Sequence, residues 1–167
     1  FIRFLVFKLG INNIDIFLTL NSVTSLYINK FIKKSQTIKM LNLNMKITND
    51  KINQKIKKKY DFIYPASGLS HKNHMFLLKA FISLSKLDIR PSIILTLSVN
   101  DYKKLKINKL KKKYNLNIYN YHSLNRIKFI RIFSSARALV YPSLNESFGL
   151  PLMEAKNLKL DVITSNL

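Results

Sequence analysis

Two glutamates are the residues of this chain best placed to do chemistry. Glu146 and Glu154 are the only glutamates in the 167-residue sequence, and the short run Gly149-Leu150-Pro151 lies between them. Glycine followed closely by proline predicts a helix that begins at or near Leu150, because proline is tolerated in the first helical turn. The free N–H groups and the positive dipole end of that helix would form a site for an anion such as a diphosphate.

The two carboxylates suit a different part of such a ligand. Carboxylates repel phosphates but accept hydrogen bonds from hydroxyl groups, and sugars supply hydroxyls on both sides of the diphosphate in a sugar nucleotide. An alternative interpretation is structural. In that case Glu146 is an ordinary loop residue, and Glu154 is either exposed or complements the helix dipole.

An alternating series of strands and helices leads up to this segment. Apolar runs predict strands at 61–64, 92–99, 116–119, 138–141 and 161–164, and helical spacing predicts helices at 73–86, 101–114, 125–135 and 150–158. The helix at 101–114 is expected to begin at an Asp101 cap. Such alternation predicts an α/β fold, with a Rossmann-like parallel sheet and helices on both faces. Ligands of these sheets lie beyond the carboxyl ends of the strands, where the loop after 138–141 falls.

The first third of the chain carries weaker signals. Strands are expected at 14–20 and 36–43 with an amphipathic helix at 23–34 between them, and the polar, lysine-rich stretch 48–59 suggests a linker. Arg3, Lys8 and Asp15 interrupt the apolar start, which leaves no run of the roughly 18 or more apolar residues of a membrane span. The chain begins with Phe1 instead of methionine, which suggests a fragment.

The charge of the chain points to anionic partners without choosing among them. A net charge of +21 favours nucleic acid, acidic lipid headgroups or nucleotide diphosphates, although an AT-rich gene would also encode much of this lysine. The lysines between Lys103 and Lys113 are either a solvated helix face or a binding surface. The absence of cysteine excludes disulfides and thiolate metal sites and is compatible with a reducing cytosol.

The segment ALVYPSLNESFGLPLMEA, residues 138–155, resembles the motif of family-four (group 1) retaining glycosyltransferases, which have the GT-B fold. The shared features are a strand, Pro-Ser, the two glutamates at this spacing and Phe-Gly after the first glutamate. Residues 162–166 look like the next strand of that family. The segment from Tyr64 to His74 is similar to the first donor-domain loop of members with a His-Lys-Asn sequence there.

The resemblance implies a role for each matching position. Glu146 would contact the transferred sugar, and Glu154 would hold the ribose hydroxyls. The backbone around Ser147, Phe148, Gly149 and Leu150 would bind sugar and phosphate. Lys72 would neutralise the diphosphate leaving group, where negative charge develops in the transition state. The co-substrate would be a nucleotide-diphosphate sugar, and the family needs no metal ion for this reaction.

Two departures from the family pattern limit what can be carried over. Many relatives have an arginine shortly before the loop lysine, where this chain has Ala66 and Ser67, so neutralisation would fall on Lys72 and the helix start alone. A glycine that helps bind the base is missing near Tyr121 and His122, which leaves the base unidentified. We expect His71 and His74 to be loop or helix-face residues, since a third ligand for a metal is not nearby.

The resemblance covers about residues 60–167 and implies the following organisation. Residues 1–50 would be a remnant of the acceptor-side domain, 51–60 a linker, and 61–167 a donor-binding domain truncated at its C-terminus. We expect a transferase that retains anomeric configuration, acts on a glycan or lipid-linked acceptor in cell-surface polysaccharide or lipopolysaccharide synthesis, and works in the cytoplasm or at the inner face of an anionic membrane.

Three alternatives remain open at this stage. A nucleotide-sugar epimerase has the same fold but different motifs. A basic nucleic-acid-binding domain would account for the charge, although the aromatic residues do not form a stacking platform and we expect no specific nucleic acid partner. A fragment that binds donor without turnover is the third.

Overall fold

A computed structural model describes residues 2–41, 56–146 and 148–166 of the chain. The chain divides into two compact units, residues 1–45 and 46–167. The predicted linker at 51–60 overlaps the region outside the described residues, so the domain boundaries stay a prediction. Among the described helices, none is both long and apolar enough to cross a lipid bilayer.

The first unit pairs two short parallel strands. Its elements are α1 (Ile2–Gly10), a 3-10 turn (Ile11–Asn13), β1 (Ile16–Thr19), α2 (Ser22–Asn29) and β2 (Thr37–Met40). The Asn21 side chain caps α2 by accepting from the Thr24 N–H, which fixes where this helix starts. The three elements predicted here are present but shorter, and α1 is an element that the sequence analysis does not predict.

The second unit is built on a five-stranded parallel sheet. Its strands are β3 (Tyr60–Tyr64), β4 (Ile93–Leu95), β5 (Ile118–Asn120), β6 (Ala136–Tyr141) and β7 (Asp161–Thr164). Their order across the sheet is β5-β4-β3-β6-β7. Ile63 pairs with Ile94 on one side and Leu139 on the other, and all three side chains are fully buried. The predicted Rossmann-like fold is confirmed. The central strands are covered on both faces, which is why they carry continuous apolar runs.

Helices connect the successive strands of this sheet. They are α3 (His74–Lys86), α4 (Val99–Lys104), α5 (Ile107–Tyr114), α6 (Arg126–Ser134) and α7 (Leu150–Asn157), with a 3-10 turn at Ser70–Lys72. Leu77, Leu78 and Phe81 of α3 and Phe133 of α6 are buried in the same core as the central strands. The sheet and its helices therefore hold the loops at the carboxyl ends of the strands in fixed positions.

The predicted strand at 92–99 is wrong in length, because β4 ends at Leu95. Beyond it, the side chain of Asn120 takes over the pairing: its Oδ1 accepts from the Leu97 N–H at 2.9 Å and its Nδ2 donates to the Leu97 carbonyl at 3.0 Å. A side-chain amide thus satisfies the backbone groups that a longer strand would have paired.

The predicted helix at 101–114 is two helices, and its start is not Asp101. Ser98 caps α4 by accepting from the Asp101 N–H, and its hydroxyl donates in turn to the Asp101 carboxylate. Lys106 then adopts a left-handed conformation, with φ of 52°, and ends the first helix. Asp101 therefore lies inside the first turn instead of capping it.

Candidate functional site

Two loops meet at the carboxyl ends of the neighbouring strands β3 and β6. The Leu144 N–H donates to the His71 carbonyl at 2.8 Å, and the Asn73 side chain donates to the Pro142 carbonyl at 3.1 Å. Because β3 and β6 are adjacent and parallel, their loops emerge on the same edge of the sheet. Residues about 70 positions apart in sequence are thereby brought into one site.

Lys72 and Glu146 form an ion pair across these loops. The Lys72 ammonium donates to Oε1 of Glu146, and both side chains are largely buried, with 17% and 15% exposure. Two of the predicted site residues are therefore in direct contact. The ammonium group has three donors and this contact uses one of them, so the others can reach a phosphate.

The Tyr64 hydroxyl holds the backbone of the loop that carries Lys72. Tyr64 is fully buried at the end of β3; it donates to the Lys72 carbonyl at 2.6 Å and lies 3.0 Å from the Ser143 hydroxyl. Burial raises the pKa of Tyr64 to about 12, helped by the negative charge of Glu146 and opposed by the Ser143 hydrogen bond. The phenol is therefore a neutral hydrogen-bonding group that fixes the loop backbone at Lys72.

The environment of Glu146 favours its ionised form. Burial acts to raise the pKa of this carboxyl, but the hydrogen bond from Lys72, the nearby hydroxyls of Ser143 and Tyr141 and the charge of Lys72 together outweigh it, so the pKa lies below its ordinary value. The Tyr141 hydroxyl is close enough to act on this pKa, although it makes no hydrogen bond of standard geometry within the described residues. Glu146 is thus held as an acceptor of hydrogen bonds.

The glycine before α7 has the backbone conformation that the sequence predicts to be unusual. Gly149 has φ of +70°, and a β-carbon placed on it would lie 3.1 Å from Leu152 and 3.8 Å from the Tyr141 hydroxyl. Helix α7 begins at Leu150, as predicted, with Pro151 in its first turn. Phe148 is half-buried just before it. Ser147, the remaining predicted binding residue, lies outside the described residues.

Glu154 is buried in α7 and pairs with an arginine from another helix. Its side chain is 8% exposed, and Nη1 of Arg126 donates to its Oε1. Arg126 stands at the first position of α6 and keeps 48% of its side chain exposed. Sequence reasoning missed this residue, although an arginine at a helix start, where the dipole disfavours a cation, is a signal that could have found it.

The loop that carries Lys72 is anchored to α4. The Gly68 N–H donates to the Asp101 carboxylate at 3.3 Å, and a β-carbon on Gly68 would lie within 2.6 Å of three Asp101 atoms. His74, at the start of α3, is buried with Nε2 2.9 Å from the Ser67 carbonyl. Burial lowers the pKa of His74 against that hydrogen bond, so this histidine supports the same loop in its neutral form.

A groove of about 510 Å³ opens beside the edge strand β5. Its polar and aromatic lining comprises Tyr102, Lys103, Asn108, Lys111, Tyr119, Asn120, Tyr121 and His122. The ammonium of Lys111 lies 5.5 Å from the centre of the Tyr119 ring and donates to the Ile118 carbonyl.

In residues 2–41, 56–146 and 148–166, no group of three or more His, Asp or Glu side chains is placed to hold a metal ion.

The structure therefore pairs each of the two predicted glutamates with a cation. Lys72 and Glu146 form one pair, with Glu146 just before α7 in sequence, and Glu154 of α7 with Arg126 forms the other. The contacts between loops and helices were beyond sequence reasoning, since each joins segments that are distant along the chain.

Solved structures with a similar fold include glycosyltransferases and a sucrose-phosphate synthase. The pneumococcal O-GlcNAc transferase GtfA, solved in complex with UDP and GlcNAc, shares 17% identity at a TM-score of 0.70, over 97% of this chain and 32% of that one. Sucrose-phosphate synthase from Thermosynechococcus elongatus shares 18% at 0.72, over 99% and 44%. WaaG, a glycosyltransferase involved in lipopolysaccharide biosynthesis, shares 16% at 0.59, over 88% and 43%.

These likenesses concern the fold, and the chain spans less than half of the length of each of these three proteins. No curated protein matches the sequence. A family model described as glycosyl transferases group 1 matches residues 45–167, which is well over half of the chain. The match includes both glutamates and Lys72. The chain belongs to the group 1 glycosyl transferases.

Proposed function

We propose that residues 46–167 bind a nucleotide-diphosphate sugar, and that the protein transfers its sugar to an acceptor hydroxyl. The observation that carries this proposal is the placement of Lys72 and Glu146 together beside the start of α7, at the carboxyl ends of β3 and β6. A cation, a free helix start and an ionised carboxylate in one place suit a ligand with a diphosphate next to hydroxyl groups. The solved relative with UDP and GlcNAc bound supports the same assignment.

Each group would act on a different part of the donor. The ammonium of Lys72 and the N–H groups at the start of α7 would bind the diphosphate and stabilise the charge that develops as it leaves. Glu146 would accept hydrogen bonds from the transferred sugar. The backbone at Phe148, Gly149 and Leu150 permits close approach of sugar and phosphate because Gly149 has no side chain. Ser147 belongs to the same proposed contact by its position in sequence.

Glu154 would hold the ribose of the nucleotide. It is buried in α7, whereas Glu146 precedes the start of that helix, and we propose that the two carboxylates bind the two sugars of one donor. A buried carboxylate gains much from hydrogen-bonding hydroxyls, since the low local dielectric strengthens such bonds. Lys72 and the helix start would carry the electrostatic work, and we propose that no metal ion takes part.

The reaction class and setting extend the same proposal. We propose transfer with retention, in which the leaving diphosphate and the incoming hydroxyl lie on the same face of the sugar. We also propose a glycan or lipid-linked acceptor in the synthesis of surface polysaccharide or lipopolysaccharide, in the cytoplasm or at the inner face of an anionic membrane. The described function of WaaG and the net charge of +21 support this setting.

The proposal is tested by calorimetric titration of the chain with UDP, GDP and ADP and with their sugar derivatives, repeated with Glu154→Gln. We expect one base to be preferred and the variant to bind that nucleotide about tenfold more weakly, because hydrogen bonds to charged groups contribute about 1.5 kcal/mol or more. The glutamine keeps the shape of the side chain, so the loss reports the missing charge.

Circular dichroism of each variant provides the folding control. Absence of binding by every nucleotide to folded wild-type protein would remove the donor-site proposal, and undiminished binding by Glu154→Gln would remove the ribose role. A nucleic-acid-binding domain would behave differently, since it would bind any duplex or single strand tightly with a steep dependence on salt. The same titration with a random DNA duplex separates the two.

A further inference from the structure

Arg126 contacts Glu154, but the proposed function assigns it no role. It lies at the first position of α6, and its Nη1 donates to Oε1 of Glu154, 28 residues further along the chain. The contact uses one carboxylate oxygen, so the lone pairs of Oε2 lie outside the pair. The arginine thereby fixes one half of the carboxylate and leaves the other half for a second partner.

The position of Arg126 is unfavourable in its own helix. A cation in the first turn faces the positive end of the helix dipole, and the Asn125 side chain already caps α6 by accepting from the Lys128 N–H. The interactions that compensate are the ion pair with Glu154 and the Phe129 ring, whose centre lies 5.6 Å from the guanidinium carbon. Arg126 is therefore held in place by these two contacts, and it does not stabilise the start of α6.

Arg126 and Glu154 differ in the solvent exposure of their side chains. Glu154 is 8% exposed, whereas Arg126 is 48% exposed, so the pair has one buried and one accessible member. A buried carboxylate without a cation is costly, and a guanidinium with a planar array of donors gives it a defined orientation. The accessible arginine can do this without closing the approach to the carboxylate.

We infer that Arg126 is a positioning residue that orients Glu154 so that its second oxygen accepts the ribose hydroxyls of a nucleotide. The inference rests on the proposed donor site and adds a residue to it from a different helix. It predicts that loss of Arg126 weakens binding of the ribose while leaving the diphosphate contacts intact.

The test compares a ribonucleoside diphosphate with its 2′,3′-dideoxy counterpart. The nucleotide is whichever of UDP, GDP and ADP the wild-type chain binds best, and the variants are Arg126→Gln, Arg126→Lys and the matched control Arg131→Gln. Arg131 is an exposed arginine of the same helix, so its replacement makes the same change in charge. Thermal unfolding followed by circular dichroism checks that each variant is folded.

The readout is the ratio of the two affinities for each protein. We expect wild type and Arg131→Gln to prefer the ribonucleotide about tenfold. Arg126→Gln should lower that ratio by at least about threefold without changing the affinity for the dideoxy compound, and Arg126→Lys should restore part of it, because lysine keeps the charge but not the planar fork. A purely structural tie between α6 and α7 would weaken both ligands equally.

The outcomes separate this inference from the function on which it rests. A folded wild-type chain that binds no nucleotide contradicts the proposed function, and the inference fails with it. A wild-type preference for ribose that Arg126→Gln leaves unchanged overturns the inference alone. Tighter ribonucleotide binding by Arg126→Gln also overturns it, since that result would make Arg126 a competitor for the carboxylate.

Discussion

Replacing Lys72 with methionine is expected to weaken binding of a nucleoside diphosphate by about tenfold to a hundredfold, because a hydrogen bond between charged groups contributes about 1.5–3 kcal/mol. Lys72 is the cation at the meeting point of the two site loops, and its side chain is only 17% exposed. Methionine retains much of its length and apolar stem. Titration calorimetry with the preferred nucleoside diphosphate measures the loss.

Lys79→Met is the matched control for this variant. Lys79 is exposed on α3, close in sequence to Lys72 but outside the site, and its loss changes the net charge by the same amount. An equal loss of affinity in the two variants would mean that overall charge attracts the nucleotide, and it would remove Lys72 from the site. A loss confined to Lys72→Met identifies the contact.

The Lys72→Met variant should also lose less of its stability in acid than the wild type does. In the wild type the pKa of Glu146 lies below its ordinary 4.5, so the ionised carboxylate stabilises the fold above that value and this contribution is lost as pH falls through the folded-state pKa. Burial alone acts to raise the pKa, and without Lys72 less opposes it. Urea unfolding between pH 7 and 3 should therefore show a smaller loss of stability with falling pH in the variant than in the wild type, because the folded-state pKa of Glu146 moves toward or above the unfolded one; superimposable profiles would contradict the coupling.

Replacing Gly68 with alanine is expected to destabilise the fold by about 1–3 kcal/mol, the usual cost of forcing extra volume into a packed position. The added β-carbon would lie 2.4 Å from Cγ, 2.5 Å from Cβ and 2.6 Å from Oδ1 of Asp101. The clash involves the base of a short side chain, which cannot swing aside without breaking its hydrogen bond from the Ser98 hydroxyl. Urea unfolding followed by circular dichroism gives the change in free energy.

A double-mutant cycle locates the cause of that loss. Asp101→Ala keeps the β-carbon and so keeps part of the clash, whereas Asp101→Gly removes the three atoms nearest to the added methyl group. Gly68→Ala should therefore cost much less in the Asp101→Gly background than in wild type. Gly10→Ala is the control, since a β-carbon there meets nothing within 4 Å. An unchanged cost in the double variant would place the strain elsewhere.

The sheet could be predicted from the sequence because its strands carry their own signals. The strand at 161–164 was placed with its observed ends, and the buried strand at the centre of the motif, β6, begins only two residues before its predicted start. Apolar runs of this kind have few alternatives once they alternate with helical periods. The glycine-proline pattern likewise placed the start of α7 at Leu150.

Other features depend on residues whose type gives no warning. Lysine is seldom found at positive φ, so nothing in the sequence marks Lys106 as the break between α4 and α5. The end of β4 depends on Asn120, a side chain from another strand. The ion pairs of Lys72 with Glu146 and of Arg126 with Glu154 join segments that only the sheet brings together, which is why both glutamates and Lys72 could be named, whereas Arg126 and the two pairings could not.

Because the charges of the two ion pairs are balanced, different parts of the molecule determine the association rate and the dissociation rate of a charged ligand. Each candidate carboxylate already has a cation beside it, so these four side chains together carry no net charge and exert little pull on a distant diphosphate. The encounter rate is then governed by the lysines scattered over the rest of a chain with net charge +21, and it falls as ionic strength rises. The dissociation rate depends instead on short contacts inside the site, which salt screens far less. Evolution of the surface lysines can therefore change how fast a donor arrives without altering how long it stays.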